Sequence, residues 1–163
     1  MRILYIEDEF IIEMNVRMRL KSDYPDIELV HAPSYAESVK KLEGPNSFDL
    51  IISDFNFPGK KGSGNPGGID LFDYFRCFES TDLAAPPFYF CSNKTPDQIH
   101  TLFQERGLDV SKDLEGRIYE KGASVSDSIV KLVADFKNEQ TAQKTTIRPL
   151  DVKTTKQTIP GTP

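Results

Sequence analysis

The sequence predicts an α/β protein, a doubly wound parallel sheet with helices on both faces. Two observations carry that expectation. Short apolar runs alternate five times with amphipathic segments along the chain, and parallel strands joined by right-handed crossovers need a helix over each face. The second is size: 163 residues with 38% hydrophobic content fit one domain with a proper core, and a second domain would be cramped.

The elements follow in order. Ile3 to Ile6 is the first strand, and Phe10 to Leu20 reads as a helix from its apolar positions 10, 11, 14 and 18. Ile27 to His31 is the second strand; behind it "PSYAESVKKLE" sets Tyr35, Val39 and Leu42 at helical spacing, with Ser34 as N-cap. Phe48 to Ser53 is the third strand, followed by the apolar helix "GIDLFDYFRCF". "PPFYFCS" is the fourth strand. The helix after it opens with Thr95 as cap, Pro96 in the first turn and Gln98 closing a capping box, and stops at Gly107. Arg117 to Glu120 is a weak fifth strand, and Val125, Ile129, Leu132, Val133 and Phe136 make the stripe of the last helix.

Two stretches break the rhythm. "GKKGSGNPGG", residues 59 to 68, is a Gly-rich polar loop between the third strand and its helix; it lacks the GxxxxGK[ST] order of a nucleotide cradle, and a mobile lid over the neighbouring strand ends is expected instead. Residues 140–163 hold seven threonines and three prolines without periodicity, so a disordered tail is expected after a folded domain spanning 1–139.

Bulk properties exclude several classes. A net charge of −5 argues against a chain whose direct partner is nucleic acid. Cys77 and Cys91 lie in apolar surroundings without CxxC spacing, and read as reduced core thiols of a cytoplasmic protein. The opening "MRILYIED" is strand-like and lacks the regions of a signal peptide, and no apolar stretch approaches a membrane span.

Ligands of open parallel sheets bind at the carboxyl ends of the strands. The first strand ends on Glu7, Asp8 and Glu9, the third on Asp54, the fourth on Ser92 and the fifth on Lys121. Taken singly, the acids fit the first turn of a helix, Asp54 a turn, and Lys121 a solvated charge. Together, Glu7, Asp8 and Asp54 would repel one another unless a cation held them, and oxygen-only ligands suit Mg²⁺. Lys121 and the Ser92 hydroxyl would neutralise and hydrogen-bond a phosphoryl group, so nucleophile, metal, cation and hydroxyl make a sufficient set for phosphoryl transfer.

This ordered set resembles the receiver domain of two-component response regulators, over residues 1 to about 139. The resemblance implies a flavodoxin-like (βα)5 fold with strand order 2-1-3-4-5, and a single-domain regulator without an output domain. It implies that Asp54 accepts a phosphoryl group from the phosphohistidine of a sensor histidine kinase or phosphotransfer protein. Mg²⁺ would be ligated by Asp8 and Asp54, by Glu7 through water, and by the backbone carbonyl of Asn56, while Ser92 and Lys121 contact the phosphoryl oxygens. Such a protein is not an enzyme beyond its own phosphotransfer and dephosphorylation. It signals to a downstream protein partner or through a homodimer, in the family usually through helix four, strand five and helix five, without direct nucleic-acid or membrane contact.

The departures are local. Ile118 stands where an aromatic residue usually precedes the lysine by three, with Tyr119 beside it; Gly122 replaces the usual proline, so a trans peptide is expected there. Asn93 is bulkier than the usual small residue after the hydroxyl and is expected to crowd the phosphoryl group or the attacking water. Extra residues fall in the 59–68 loop and in "LDVSKDLEG", and both insertions are expected to flank the site. Two other readings stay open. One is a receiver-like interaction scaffold that never carries phosphate. The other is a haloacid-dehalogenase-like phosphotransferase, which wants an aspartate where Asn56 stands and its nucleophile on the first strand.

Overall fold

The computed structural model describes residues 1–45, 47–79 and 85–146. The elements are β1 (Arg2–Ile6), α1 (Phe10–Asp23), β2 (Glu28–Ala32), α2 (Tyr35–Leu42), β3 (Leu50–Ser53), α3 (Gly67–Glu79), β4 (Phe88–Ser92), α4 (Pro96–Gln104), β5 (Ile118–Glu120) and α5 (Val125–Thr146). The strands form one parallel sheet in the order β2-β1-β3-β4-β5. That is the flavodoxin-like arrangement the sequence implies, with β1, β3 and β4 interior.

Alternation along the strands divides the core into two layers. Leu4, Ile6, Ile51, Phe88 and Phe90 face α3 and α4, meeting Phe72, Phe75 and Phe103 in a cluster of edge-on rings. Ile3, Tyr5, Leu50, Ile52, Tyr89 and Cys91 face α1 and α5, meeting Val16, Leu20, Ile129, Leu132 and Val133.

Local chemistry sets several boundaries. The Ser34 hydroxyl accepts from the Glu37 amide to cap α2, and Thr95 and Gln98 form the expected capping box with Pro96 in the first turn of α4. Gly107 closes the turn after α4 at φ +74°. At the start of α3, a Cβ on Gly68 would lie 2.9 Å from the Cα and carbonyl oxygen of Phe55, so a side chain there would push the helix off the strand end that carries Asp54.

Four expectations are corrected. The first concerns only a boundary, since α1 forms as expected but runs on to Asp23; its stripe at 10, 11, 14 and 18 faces outward, with Phe10 69% and Ile11 67% exposed, and Val16 and Leu20 meet the sheet. Cys77 is exposed on α3, whereas Cys91 is buried as expected. The last helix runs on past residue 139 to Thr146; 147–163 lie outside the described residues. The insertion 108–116 does not flank the site: it leads into the amino end of β5, buries Val110 and Leu114 beneath the phenylalanine cluster and pairs Asp113 with Arg76. In a parallel sheet, helix-to-strand connections fall at the amino edge, opposite the strand ends where ligands bind.

Candidate functional site: an acidic pocket at the carboxyl edge

Each expected group stands where a strand stops. Glu7 and Asp8 follow β1. Glu7 is held by its backbone, whose amide donates to Ala32 and whose carbonyl accepts from His31 Nε2 at 2.6 Å. Asp54 follows β3 and donates its amide to Ile6, which locks the two strand ends side by side. Lys121 follows β5, and its amide donates to the Ser92 carbonyl at 2.7 Å.

The side chains converge. Lys121 Nζ lies 3.1 Å from Asp54 Oδ1 and 3.3 Å from Glu7 Oε2. Carboxylate oxygens of Glu7, Asp8 and Asp54 lie within 4.8 Å of one another. Glu7 and Asp54 are buried and Asp8 is exposed, so the pocket opens to solvent on the Asp8 side. Glu7 Oε1 accepts from the Glu9 amide, and Oε2 also accepts from the buried Tyr5 hydroxyl at 3.3 Å.

Charge and burial compete here. Burial pushes the Glu7 carboxyl above its ordinary range; Lys121 pulls it down and Asp54 adds to the rise, for a net upward shift. Burial alone would favour a neutral Lys121, but the Asp54 and Glu7 carboxylates outweigh it and hold the ammonium above its usual value. The nearby Cys91 thiol is pushed up to about 12, mainly by burial, and is an unreactive core group.

An all-oxygen set of three carboxylates, one of them open to solvent, fits Mg²⁺, which keeps several waters and takes few protein ligands. Asn56, two residues beyond Asp54, is exposed.

The hydroxyl side is assembled differently. Ser92 is fully buried, and its Oγ accepts from the Lys94 amide at 3.2 Å, which leaves its own proton to donate. Asn93 is exposed. No described residue has a cis peptide bond, and the Gly122 amide donates to Ser128 Oγ. Ile118 packs into the phenylalanine layer, while Tyr119 turns to the other side and donates to Asp135 on α5 at 3.2 Å.

The 59–68 loop is fastened rather than free. The Asp70 carboxylate accepts from the Lys60 amide, the Ser63 hydroxyl and the Asn65 side-chain amide, and Arg106 beyond α4 donates to Asn65. The expected mobile lid is therefore replaced by a loop stapled to α3 and α4. Asp70 and Tyr5 are the two residues that sequence reasoning missed; the signal for Tyr5 was its place two residues before Glu7, on the same side of β1.

No protein-family model and no curated protein matches the chain. Solved structures do. The chemotaxis response regulator CheY4 of Vibrio cholerae is 18% identical over 82% of this chain and 96% of its own, with a TM-score of 0.58. The receiver domain of the Francisella response regulator 1452 is 17% identical over 85% and 98%, at 0.57. A CheY-like receiver domain protein from Methanospirillum hungatei is 16% identical over 86% and 97%, at 0.58. The chain has the receiver-domain fold. Among the described residues, no helix is long and apolar enough to cross a membrane.

Proposed function

We propose that this receiver-fold chain is a response regulator that accepts a phosphoryl group on Asp54. The observation that supports it most is Lys121 Nζ bridging Asp54 and Glu7 inside a pocket completed by Asp8. Mg²⁺ held by Glu7, Asp8, Asp54 and the Asn56 carbonyl would supply positive charge for the oxygens of the incoming group.

The chain's own groups do the rest. An Asp54 carboxylate oxygen attacks phosphorus; the O–P bond forms as the P–N bond of a phosphohistidine breaks, and the imidazole leaves with the electron pair. Lys121 moves its ammonium from the carboxylates to a phosphoryl oxygen, and Ser92 donates its free proton to another. Hydrolysis of the acyl phosphate returns Asp54, so the only chemistry is self-catalysed.

The phosphodonor is a sensor histidine kinase or a phosphotransfer protein. Phe10, Ile11, Met14 and Met18 form an exposed apolar face on α1, which begins two residues beyond Asp8, and this face seats the donor beside the pocket. Output passes to a downstream protein or a second copy of the chain, and the protein works in the cytoplasm, where the thiol of Cys91 stays reduced.

The test is incubation with Mg²⁺ and acetyl phosphate. A hydroxylamine-labile adduct, lost in Asp54→Ala, is expected. A folded protein that forms no adduct is an interaction scaffold, the reading that the atypical Ile118, Gly122 and Asn93 favour; rapid turnover of many phosphate esters would mark a phosphotransferase.

A further inference from the structure

In the layer between the sheet and α1 and α5, Tyr5 is the tyrosine whose hydroxyl reaches a carboxylate of the pocket. Its ring packs on the same face of β1 as Ile3, in the layer that holds Ile52 and Cys91, and is 1% exposed. A phenylalanine would fill that space without burying a hydroxyl, and a buried hydroxyl is costly unless paired. Tyr5 pairs it with Glu7 Oε2 at 3.3 Å, the same oxygen that takes the Lys121 ammonium.

Lys121 cannot serve both states equally. With Asp54 unmodified it bridges two carboxylates; once it turns to a phosphoryl oxygen, Glu7 Oε2 loses a charge-assisted bond inside the protein. The Glu9 amide still holds Oε1, so the Tyr5 hydroxyl is then the bond left on Oε2, and without it that end of the carboxylate would regain rotamer freedom. We propose that Tyr5 is a positioning residue, whose hydroxyl holds Glu7 in its metal-facing conformation beside the Lys121 ammonium and stays in place when that ammonium leaves. This rests on Asp54 being the phosphoacceptor of a Mg²⁺ pocket, and extends it to a residue beneath the carboxylates.

The experiment is a Mg²⁺ titration of the full chain, followed by the backbone NMR shifts of residues 7, 8 and 54–56. Removing a hydrogen-bond partner of a metal-facing ligand weakens affinity ~10–100-fold, and Tyr5→Phe, which leaves the ring in place, is expected at the low end, about tenfold. Tyr89→Phe deletes the hydroxyl of a second buried tyrosine in the same layer, one that faces Glu139 rather than the pocket, and is expected to keep wild-type affinity. In a Glu7→Gln background, Tyr5→Phe is expected to have no further effect, as a residue acting through Glu7 requires.

Wild-type affinity in a folded Tyr5→Phe overturns the proposal, and if Asp54→Asn still abolishes binding, the phosphoacceptor reading stands. A wild-type protein with no saturable Mg²⁺ response overturns both. Should Tyr5→Phe fail to fold, ring signals of the labelled wild-type protein decide: Tyr5 is expected to shift with Mg²⁺ while Tyr89 does not, and an unmoved Tyr5 overturns the proposal.

Discussion

At the ends of β1 and β3, Glu7 and Asp54 are buried and held: Glu7 by the Glu9 amide, Tyr5 and Lys121, Asp54 by Lys121 and by the Ile6 carbonyl on its amide. At the ends of β4 and β5 the Ser92 hydroxyl is equally buried, but its neighbours are not a matched set. Asn93 projects to solvent, Ile118 is absorbed into the phenylalanine layer, and Tyr119 is spent on Asp135 across the sheet. The difference separates two tasks. On the proposed reading, the carboxylate half would fix charges for accepting a group, while the hydroxyl half would report that event with Ile118 and Tyr119 both engaged elsewhere.

The strongest way to break the carboxylate half is to remove its cation. Lys121→Ala leaves Glu7 and Asp54 buried side by side without compensation, and a loss of about 3 kcal/mol in urea unfolding is expected. Added Mg²⁺ is expected to recover part of it, because the metal takes over the neutralising role; no recovery would detach Lys121 from the pocket. A backbone test comes next. Gly68→Ala drives a methyl into the Phe55 backbone at the base of the pocket, with about 2 kcal/mol of destabilisation expected, and a neutral outcome would show that α3 does not set the position of Asp54.

Two smaller effects sharpen the contrast. Asn93→Ala opens the water approach on the hydroxyl side and is expected to hasten loss of the acyl phosphate about threefold, less than 1 kcal/mol of barrier; the decay of the adduct after removal of phosphodonor reads it. On α1, Met14→Asp is expected to change stability by less than about 0.5 kcal/mol, since Met14 is exposed, and to slow phosphorylation by a protein donor while sparing that by acetyl phosphate.

The smallest effect is acid–base. The Glu7 carboxyl is raised above its usual 4.5, mainly by burial. The native state therefore holds this proton more tightly than the unfolded chain, and the stability it contributes grows as pH falls through the raised value and levels off below 4.5. In Mg²⁺-free buffer, wild type is expected to gain on Glu7→Gln over that window, measured as the difference between their unfolding curves.

Much of this was legible because it is local. Strands ending on Glu7, Asp54, Ser92 and Lys121 are sequence facts, and a parallel sheet places those ends on one edge. The caps at Ser34 and Thr95 depend on residues three apart, so they too could be read directly. What failed depended on neighbours. A 3.6-residue period marks α1 as a helix but does not say which side meets the sheet, and Val16 and Leu20 took the core from the more conspicuous Phe10, Ile11, Met14 and Met18. Cys77 lies two residues past the buried Phe75, and the turn of α3 carries it out to solvent. The 59–68 loop looked free because its anchor, Asp70, lies outside it and Arg106 comes from the turn beyond α4.

The central claim, that the ends of β1, β3 and β5 form a phosphoacceptor pocket around Asp54, is tested most directly by fluorine NMR of the full chain with Mg²⁺ and beryllofluoride, a stable mimic of the phosphoryl group. Bound fluorine signals are expected that require Mg²⁺, accompany shifts of the Lys121 and Ser92 resonances and vanish in a folded Asp54→Asn. Signals that persist in Asp54→Asn, or a folded wild-type protein that gives none, would contradict it.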